Sequence, residues 1–168
     1  MLVLGLDPGS HHTGYGLVER RGSTLRALAH GRISCARQLP LALRLARLAS
    51  ELAQLLTGWR PDTAALEAPF HGVNSRSLIV LAEARGVLLG VLGGRGITVR
   101  EYSPAEVKTA VTGNGRAEKR QVARMVCLLL DLQRGVPTVD ATDALAVAIC
   151  CSQRARAERL AEQALARK

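Results

Sequence analysis

Aromatic side chains are scarce in this chain of 168 residues, which has two tyrosines, one tryptophan and one phenylalanine. The core must therefore be aliphatic, and an aromatic residue outside a core pattern raises the question of a functional role. Paired cysteines are also lacking, because none of the four cysteines shows the CxxC spacing of a zinc or redox site. We predict reduced core residues of a cytoplasmic protein, not a disulfide framework, at Cys35, Cys127, Cys150 and Cys151.

No apolar run reaches the length of a membrane span, and the amino terminus lacks the pattern of a signal peptide. These absences argue against an integral membrane protein and favour a cytoplasmic location. A hydrophobic fraction of 48% is typical of a globular chain. The length predicts a single domain over residues 1–168, whose residues 153–168 form a basic helical extension at the carboxyl end.

Acidic residues are outnumbered, since 14 aspartates and glutamates face 23 lysines and arginines and give a net charge of +9. Such a balance points to a polyanionic partner, and to nucleic acid before a membrane surface. A generally basic enzyme without such a partner is the alternative, and the net charge alone does not decide between the two.

The chain is organised around its first strand, an apolar run from Met1 to Leu6 that ends on the carboxylate of Asp7. Pro8 and Gly9 turn the chain directly afterwards, and a second strand follows from Gly14 to Glu19. A carboxylate at the mouth of a core strand is costly unless it is solvated, hydrogen-bonded or bound to a cation. The alternative is that Asp7 only initiates the turn.

Periodicity and turn residues predict an α/β fold in which an antiparallel meander is followed by parallel strands with crossover helices. The meander closes with a strand from Thr24 to Ser34, and a helix then runs from Pro40 to Gly58. The remaining predicted elements are a strand Thr63–Glu67, a helix from Asn74 or Ser75 to Gly93, a strand Ile97–Tyr102, a short helix near Glu106–Val111, a helix opening at 117–120, and a last helix capped by Thr138. The result is a five-stranded mixed sheet flanked by helices, which describes a ribonuclease H-like fold.

Four carboxylates converge in this scheme. Glu67 ends its strand as Asp7 ends the first, so parallel neighbours would bring the two side by side. Asp140 and Asp143 are three residues apart on one helical face, just before an apolar stretch. Stabilisation of the helix dipole would explain one acid there, but less well a pair entering the core. Carboxylate ligands select hard divalent cations, so we expect Mg²⁺ or Mn²⁺, with two ions roughly 3.5–4 Å apart.

The helix that ends at Gly93 is apolar almost all round, so we expect it to be buried on more than one side. A row of small residues at helical spacing indicates close approach of the sheet or of a second subunit; it comprises Ala82, Gly86, Gly90 and Gly93. We predict an isologous homodimer built on this helix, because a monomer would expose an apolar patch made of several of its leucines, drawn from Leu78, Leu81, Leu88, Leu89 and Leu92.

Basic residues gather between 100 and 124, where acids would suit a helix start better. We interpret them as phosphate contacts, with a solvated surface as the alternative; they include Lys108, Arg116, Lys119, Arg120 and Arg124. Phe70, the only phenylalanine, lies in the loop after Glu67. It could stack on a nucleobase or cover the neighbouring helix.

The chain resembles the crossover (Holliday) junction endodeoxyribonuclease family, RuvC, over nearly its whole length. The first motif alone is weak, whereas the last one, in order with the others, is specific. The resemblance rests on Gly5-Leu6-Asp7-Pro8-Gly9-Ser10 with Thr13-Gly14-Tyr15-Gly16, Glu67 with Phe70, Asn74-Ser75-Arg76-Ser77 with Ala84-Arg85-Gly86, Tyr102-Ser103-Pro104, Val107-Lys108, Gly113-Asn114-Gly115 with Ala117-Glu118-Lys119, and Asp140-Ala141-Thr142-Asp143-Ala144-Leu145-Ala146. A departure is Cys150-Cys151-Ser152, where relatives often carry histidines.

This resemblance implies a homodimer that nicks two opposing strands of a four-way DNA junction in recombination and repair and works with a branch-migration helicase complex of the RuvA-RuvB type. The family's four catalytic acids map onto Asp7, Glu67, Asp140 and Asp143. Its aromatic residue near the scissile region maps onto Phe70, which favours the stacking role, and its phosphate-contacting lysines map onto Lys108 and Lys119.

Other functions stay open at this point. Another nuclease of the ribonuclease H-like fold is one alternative, and a non-catalytic junction-binding module is a second, although retention of all four acids argues against it. An ATPase that holds phosphates in the turns after Asp7 would need a second domain, for which 168 residues leave little room.

Overall fold

The computed structural model describes residues 1–68, 75–132 and 138–166. The chain begins with three strands, β1 (Leu2–Asp7), β2 (His12–Arg21) and β3 (Thr24–Ser34), and continues with helix α1 (Leu41–Gly58) and strand β4 (Thr63–Glu67). The second half contains α2 (Ser75–Gly93), β5 (Val99–Tyr102), α3 (Pro104–Thr112), α4 (Lys119–Leu129) and α5 (Val139–Leu165).

The strands form one five-stranded mixed sheet in the order β3-β2-β1-β4-β5. The meander β1–β2–β3 is antiparallel, whereas β4 and β5 are added in parallel on the other side of β1. The predicted fold class is thereby confirmed. Strand β5 starts two residues later than predicted, because Gly96 adopts a left-handed φ of 69° and Ile97 donates its amide to Leu92 in the turn that ends α2.

Successive side chains of β1 and β4 point to opposite faces of the sheet and pack in two separate hydrophobic cores. Leu4, Leu6 and Leu66 pack with α1 and α2, whereas Val3 and Ala65 pack with α3, α4 and α5. Since successive strand residues point to opposite faces, Asp7 and Glu67 follow Val3 and Ala65 and face the layer that contains α5.

Close packing of α5 on the sheet depends on glycine. A Cβ at Gly5 would lie 2.0 Å from the carbonyl oxygen of Ala144, and one at Gly14 would lie 1.9 Å from that of Asp140. Both distances are far below van der Waals contact, so only glycine lets the first turns of α5 cross β1 and β2 at this height. The stretch after Asp143 is fully buried, as its apolar sequence predicts.

Helix α2 meets the rest of the chain along one stripe. Among its described side chains, Ala84, Leu88 and Leu92 are fully buried within the chain. Burial on more than one side would need a second subunit and stays a prediction. A Cβ at Gly86 or Gly90 would meet nothing within 4 Å, which rules out the described part of the sheet as the close neighbour of the glycine row. Of the five leucines among which a monomer was predicted to expose several, Leu88 and Leu92 face the core, Leu78 is 37% exposed, and Leu81 and Leu89 are partly exposed.

Helix α5 runs without a break to Leu165, so most of the predicted basic extension is a direct continuation of this helix. The four cysteines are free, and three are buried, whereas Cys127 is half-buried. Among the described helices, none combines the length and the apolarity that crossing a bilayer requires.

Candidate active site

Asp7 and Glu67 end two adjacent parallel strands. Leu6 pairs with Leu66 in the β1–β4 register, so the two acids follow this pair at the same edge of the sheet. Both side chains are half-buried and face α5. The turn after Asp7 is held by Thr13, whose hydroxyl donates to the carbonyl of Gly9 at 2.7 Å and accepts from the Gly9 amide at 3.3 Å. The local sequence thus fixes where β1 ends and Asp7 projects.

The other two acids come from the first turns of α5. Thr138 caps this helix, because its hydroxyl accepts a hydrogen bond from the amide of Ala141 at 3.3 Å. Asp140 and Asp143 follow on one face of the helix and are both half-buried. Since α5 crosses the sheet at the glycines of β1 and β2, this face is brought towards the carboxyl ends of the strands.

Three of the four acids line one open cavity of about 490 Å³. Charges of both signs line it, since two lysines from α3 and α4 also contribute. The lining residues are Asp7, Glu67, Pro104, Val107, Lys108, Lys119, Val122, Asp143 and Ala146. This arrangement offers carboxylate oxygens as ligands together with positive charge.

The acids of this cavity perturb one another. Burial raises the pKa of Asp7 to about 7, and the negative charges of Asp143, Glu67 and Asp140 contribute to the same rise. The pKa of Glu67 is also raised, first by burial and then by Asp143. The pKa of Lys119 is raised by Asp143, so this lysine is held in its charged form. The negative potential of the neighbouring acids therefore favours a proton on Asp7, as is common where a cation or a catalytic proton is handled.

Asp140 does not line the cavity. Its carboxylate lies 3.4 Å from the guanidinium of Arg32 on β3, and Arg32 also donates to the hydroxyl of Ser34 at 3.1 Å. Because Asp140 contributes to the raised pKa of Asp7, it still lies within electrostatic reach of the cavity. Sequence reasoning missed Arg32, since nothing in the local pattern of β3 connects it with a residue 108 positions away.

The metal-binding atoms that the cavity offers suit a hard divalent cation. They are the carboxylates of Asp7, Glu67 and Asp143, two of which have a raised pKa, and the lining includes neither histidine nor cysteine. In their present positions, however, the described residues include no group of three or more His, Cys, Asp or Glu side chains that could hold an ion. Lys119 is bound to Asp143 at 3.3 Å and Arg32 to Asp140. These two cations partly compensate the acids that a metal ion would engage.

Of the predicted DNA-contacting residues, some line the cavity and others do not. Lys108 and Lys119 lie at the cavity, whereas Arg116 and Arg120 are exposed outside its wall, on the loop before α4 and in its first turn. Phe70 lies outside the described residues. Sequence reasoning assigned no role to Arg85 on α2, which donates to the main-chain carbonyl of Glu67 at 2.9 Å. Its only sequence signal was the Ala84-Arg85-Gly86 motif.

Comparison with known proteins gives consistent matches. A family model described as crossover junction endodeoxyribonuclease RuvC matches residues 3–151. The crossover junction endodeoxyribonuclease RuvC of Thermomicrobium roseum is 49% identical over 160 residues, which cover 95% of this chain and 98% of that protein. Thermus thermophilus RuvC, solved in complex with a Holliday junction substrate, matches at a TM-score of 0.89 and 31% identity, covering 94% of this chain and 96% of that one. The yeast mitochondrial Holliday junction resolvase Ydc2 shares the fold alone, at a TM-score of 0.63 and 14% identity, with coverage of 88% and 76%.

Proposed function

This chain belongs to the RuvC family of crossover junction endodeoxyribonucleases, and we propose that the cavity at the carboxyl ends of β1 and β4 is where it cuts the strands of a four-way DNA junction. The family assignment confirms the resemblance read from the motifs, and with it the ribonuclease H-like fold and a DNA-cleaving hydrolase. The observation that carries the location of the site is the cavity lined by Asp7, Glu67 and Asp143 with two lysines.

The acids Asp7, Glu67, Asp140 and Asp143 would hold Mg²⁺ or Mn²⁺, as two ions per site. Such ions, when bound, polarise the phosphodiester and lower the pKa of water. For this role Asp7 must give up its proton, and Asp140 and Asp143 must exchange their contacts with Arg32 and Lys119 for new ones. The chain's own cations then become free to meet the DNA.

Lys108 and Lys119 would place the scissile phosphate over the acids. Both line the cavity, and Lys119 is 79% exposed, so its ammonium group can turn outwards without breaking a packed environment. Arg116 and Arg120 would contact phosphates farther along the strand, because both are exposed close to Lys119 in sequence. Phe70, three residues after Glu67 in the sequence, would stack on a base near the cut.

Paired, symmetric cuts need two sites, and we propose that a homodimer supplies them. Helix α2 offers the surface, because its glycine row opens onto empty space and Ile79 is 60% exposed. An isologous interface would bring the two glycine rows together and match the approximate two-fold symmetry of a junction. We further propose a single nuclease domain over residues 1–168, a cytoplasmic location, and cooperation with a branch-migration complex of the RuvA-RuvB type.

A nicking assay tests this function. A synthetic four-way junction, labelled on each strand in turn, is incubated with the protein in Mg²⁺, in Mn²⁺ and in EDTA, with a linear duplex of the same sequence as the control. We expect paired nicks in opposing strands with either metal ion and binding without cleavage in EDTA. Asp7→Asn should bind and fail to cut.

Two results would reject the proposal in different ways. Binding of the junction without cleavage in any metal would leave a non-catalytic junction-binding module. Equal cleavage of the linear duplex would indicate another nuclease of the same fold.

A further inference from the structure

Arg85 is a charged residue outside the cavity whose side chain is largely removed from solvent. It lies on α2, its side chain is only 11% exposed, and it does not belong to the cavity lining. One terminal nitrogen donates to the main-chain carbonyl oxygen of Glu67 at 2.9 Å. The guanidinium also forms an ion pair with Glu101 on β5.

A guanidinium taken out of water is costly unless hydrogen bonds and an opposite charge compensate it. The Glu101 side chain is 48% exposed, so solvent screens its attraction for Arg85. The contact with the Glu67 carbonyl lies at the end of β4, where the chain leaves the sheet. An arginine on the surface could form the ion pair with Glu101 equally well. The low exposure of Arg85 is therefore better explained by its hydrogen bond to the main-chain carbonyl of Glu67.

The end of β4 needs such support. Glu67 is the last residue of the strand, and its neighbour Ala68 donates its amide to the carbonyl of Tyr102 at 2.8 Å. Arg85 takes up the carbonyl of Glu67 itself from the opposite layer, where α2 packs. The peptide unit that joins Glu67 to Ala68 is therefore held on both its carbonyl and its amide side.

We propose that Arg85 is a positioning residue for cleavage, which fixes the main chain of Glu67 and so keeps its carboxylate directed into the cavity. This inference rests on the proposed function, because it assigns Arg85 to the support of an acid in the cleavage site. Arg85 does not line the cavity, so it should affect the rate of the bound complex and leave the affinity for the junction nearly unchanged. A small misplacement of a catalytic group is enough for a large loss of rate.

Three variants separate this role from general stability. Arg85→Met removes both the hydrogen bond and the charge at similar length, and Arg85→Lys keeps a charge that cannot reach both partners at once. Glu101→Gln is the matched control, because it breaks the ion pair and leaves the contact with Glu67. Each is measured for single-turnover cleavage of a saturated four-way junction in Mg²⁺, for junction affinity in EDTA, and for urea unfolding.

We expect Arg85→Met to cut at least tenfold more slowly with affinity within about twofold of wild type, and Glu101→Gln to cut within about threefold of wild type. Arg85→Lys should lie between them, about three- to tenfold slower than wild type. Should Arg85→Met fail to fold, the comparison of Arg85→Lys with Glu101→Gln decides.

Cleavage of the bound junction at the wild-type rate by Arg85→Met, or by Arg85→Lys if only that variant folds, would overturn the positioning role. A loss in Glu101→Gln as large as that in the Arg85 variant would also overturn it, since the ion pair would then be the determinant. Wild-type protein that does not nick the junction would instead reject the proposed function, so the two failures are distinguishable.

Discussion

The ammonium group of Lys119 lies 3.3 Å from a carboxylate oxygen of Asp143, across the cavity between α4 and α5. The lysine is 79% exposed, so this pair contributes less than about 1 kcal/mol to stability. The pair places a positive charge beside the acids of the cavity. In the proposed function, the same lysine would pair with Asp143 in the absence of substrate and contact a phosphate in its presence.

Lys119→Ala should weaken junction binding and lower the slope of log affinity against log salt by about one unit, because one phosphate contact is lost. The free energy of unfolding should change by less than about 1 kcal/mol. Fluorescence anisotropy of a labelled junction in EDTA, titrated at several salt concentrations, measures the slope. Arg159→Ala is the control, since Arg159 lies beside Met1, Thr63 and Thr98 at the opposite edge of the sheet. An unchanged slope in Lys119→Ala would mean that this lysine is a solvated surface residue and makes no phosphate contact.

Asp7→Asn should stabilise the metal-free protein at neutral pH. The pKa of Asp7 is raised from 3.8 to about 7, so the folded protein retains a proton that the unfolded chain has lost. The contribution of Asp7 to stability is therefore fully present below about pH 4 and is lost as the pH rises through about 7. Because asparagine does not titrate, Asp7→Asn should raise the free energy of unfolding by about 1 to 3 kcal/mol at pH 8, and by progressively less towards pH 4.

Urea unfolding in EDTA at pH 8 and at pH 4.5 measures this difference. Glu51→Gln is the matched control, because Glu51 is an exposed carboxylate on α1 and should show little effect at either pH. A gain of the same size at both pH values would mean that Asp7→Asn acts through packing and not through charge.

Gly5→Ala should destabilise the protein by about 1 to 3 kcal/mol and abolish cleavage. The new Cβ would lie 2.0 Å from the carbonyl oxygen of Ala144, so α5 must move away from the sheet with both of its acids. Thermal unfolding and the nicking assay report the two effects. Gly58→Ala is the control, because a Cβ at Gly58 meets nothing within 4 Å. Wild-type stability in Gly5→Ala would contradict the close packing of α5 on β1.

Ile79→Lys should shift the protein from dimer to monomer at micromolar concentration without lowering the stability of the monomer. Ile79 is 60% exposed on α2, and a buried lysine at an interface would be left without a partner. Sedimentation equilibrium measures the mass against 17.9 kDa for one chain. Leu128→Lys is the control, because Leu128 is 65% exposed on α4 in the opposite layer. Equal dissociation by both variants would place the interface elsewhere.

Much of the fold could be predicted from local patterns. The bounds of β3 and β4 match the prediction, and the helix cap at Thr138 was read correctly. The short helix near Glu106 is better defined than expected, because Ser103 and Glu106 form a capping box, with the Ser103 hydroxyl accepting from the Glu106 amide at 3.3 Å and the Glu106 carboxylate from the Ser103 amide at 2.9 Å. These features depend on neighbours within four residues, which is why periodicity and turn chemistry predict them.

Helix α2 shows what the local pattern leaves undecided. Its apolar residues surround the helix, so hydrophobic periodicity alone predicts burial on several sides, whereas within one chain Ala84, Leu88 and Leu92 are the fully buried residues among its described side chains. The face that meets the core is selected by α1 and the sheet, against which the helix packs. A sequence without strong amphipathicity does not encode that choice locally.

Local sequence was enough to select the candidate site residues: two acids at the ends of apolar strands, two more at a capped helix start, and the lysines between them. Their partners, by contrast, depend on how the layers pack. Arg32 reaches Asp140, Lys119 reaches Asp143 and Arg85 holds Glu67, across separations of 108, 24 and 18 residues. Such pairings form when the layers pack and the glycines let α5 approach the sheet. A pattern of neighbouring residues does not show which residues far apart in sequence come into contact.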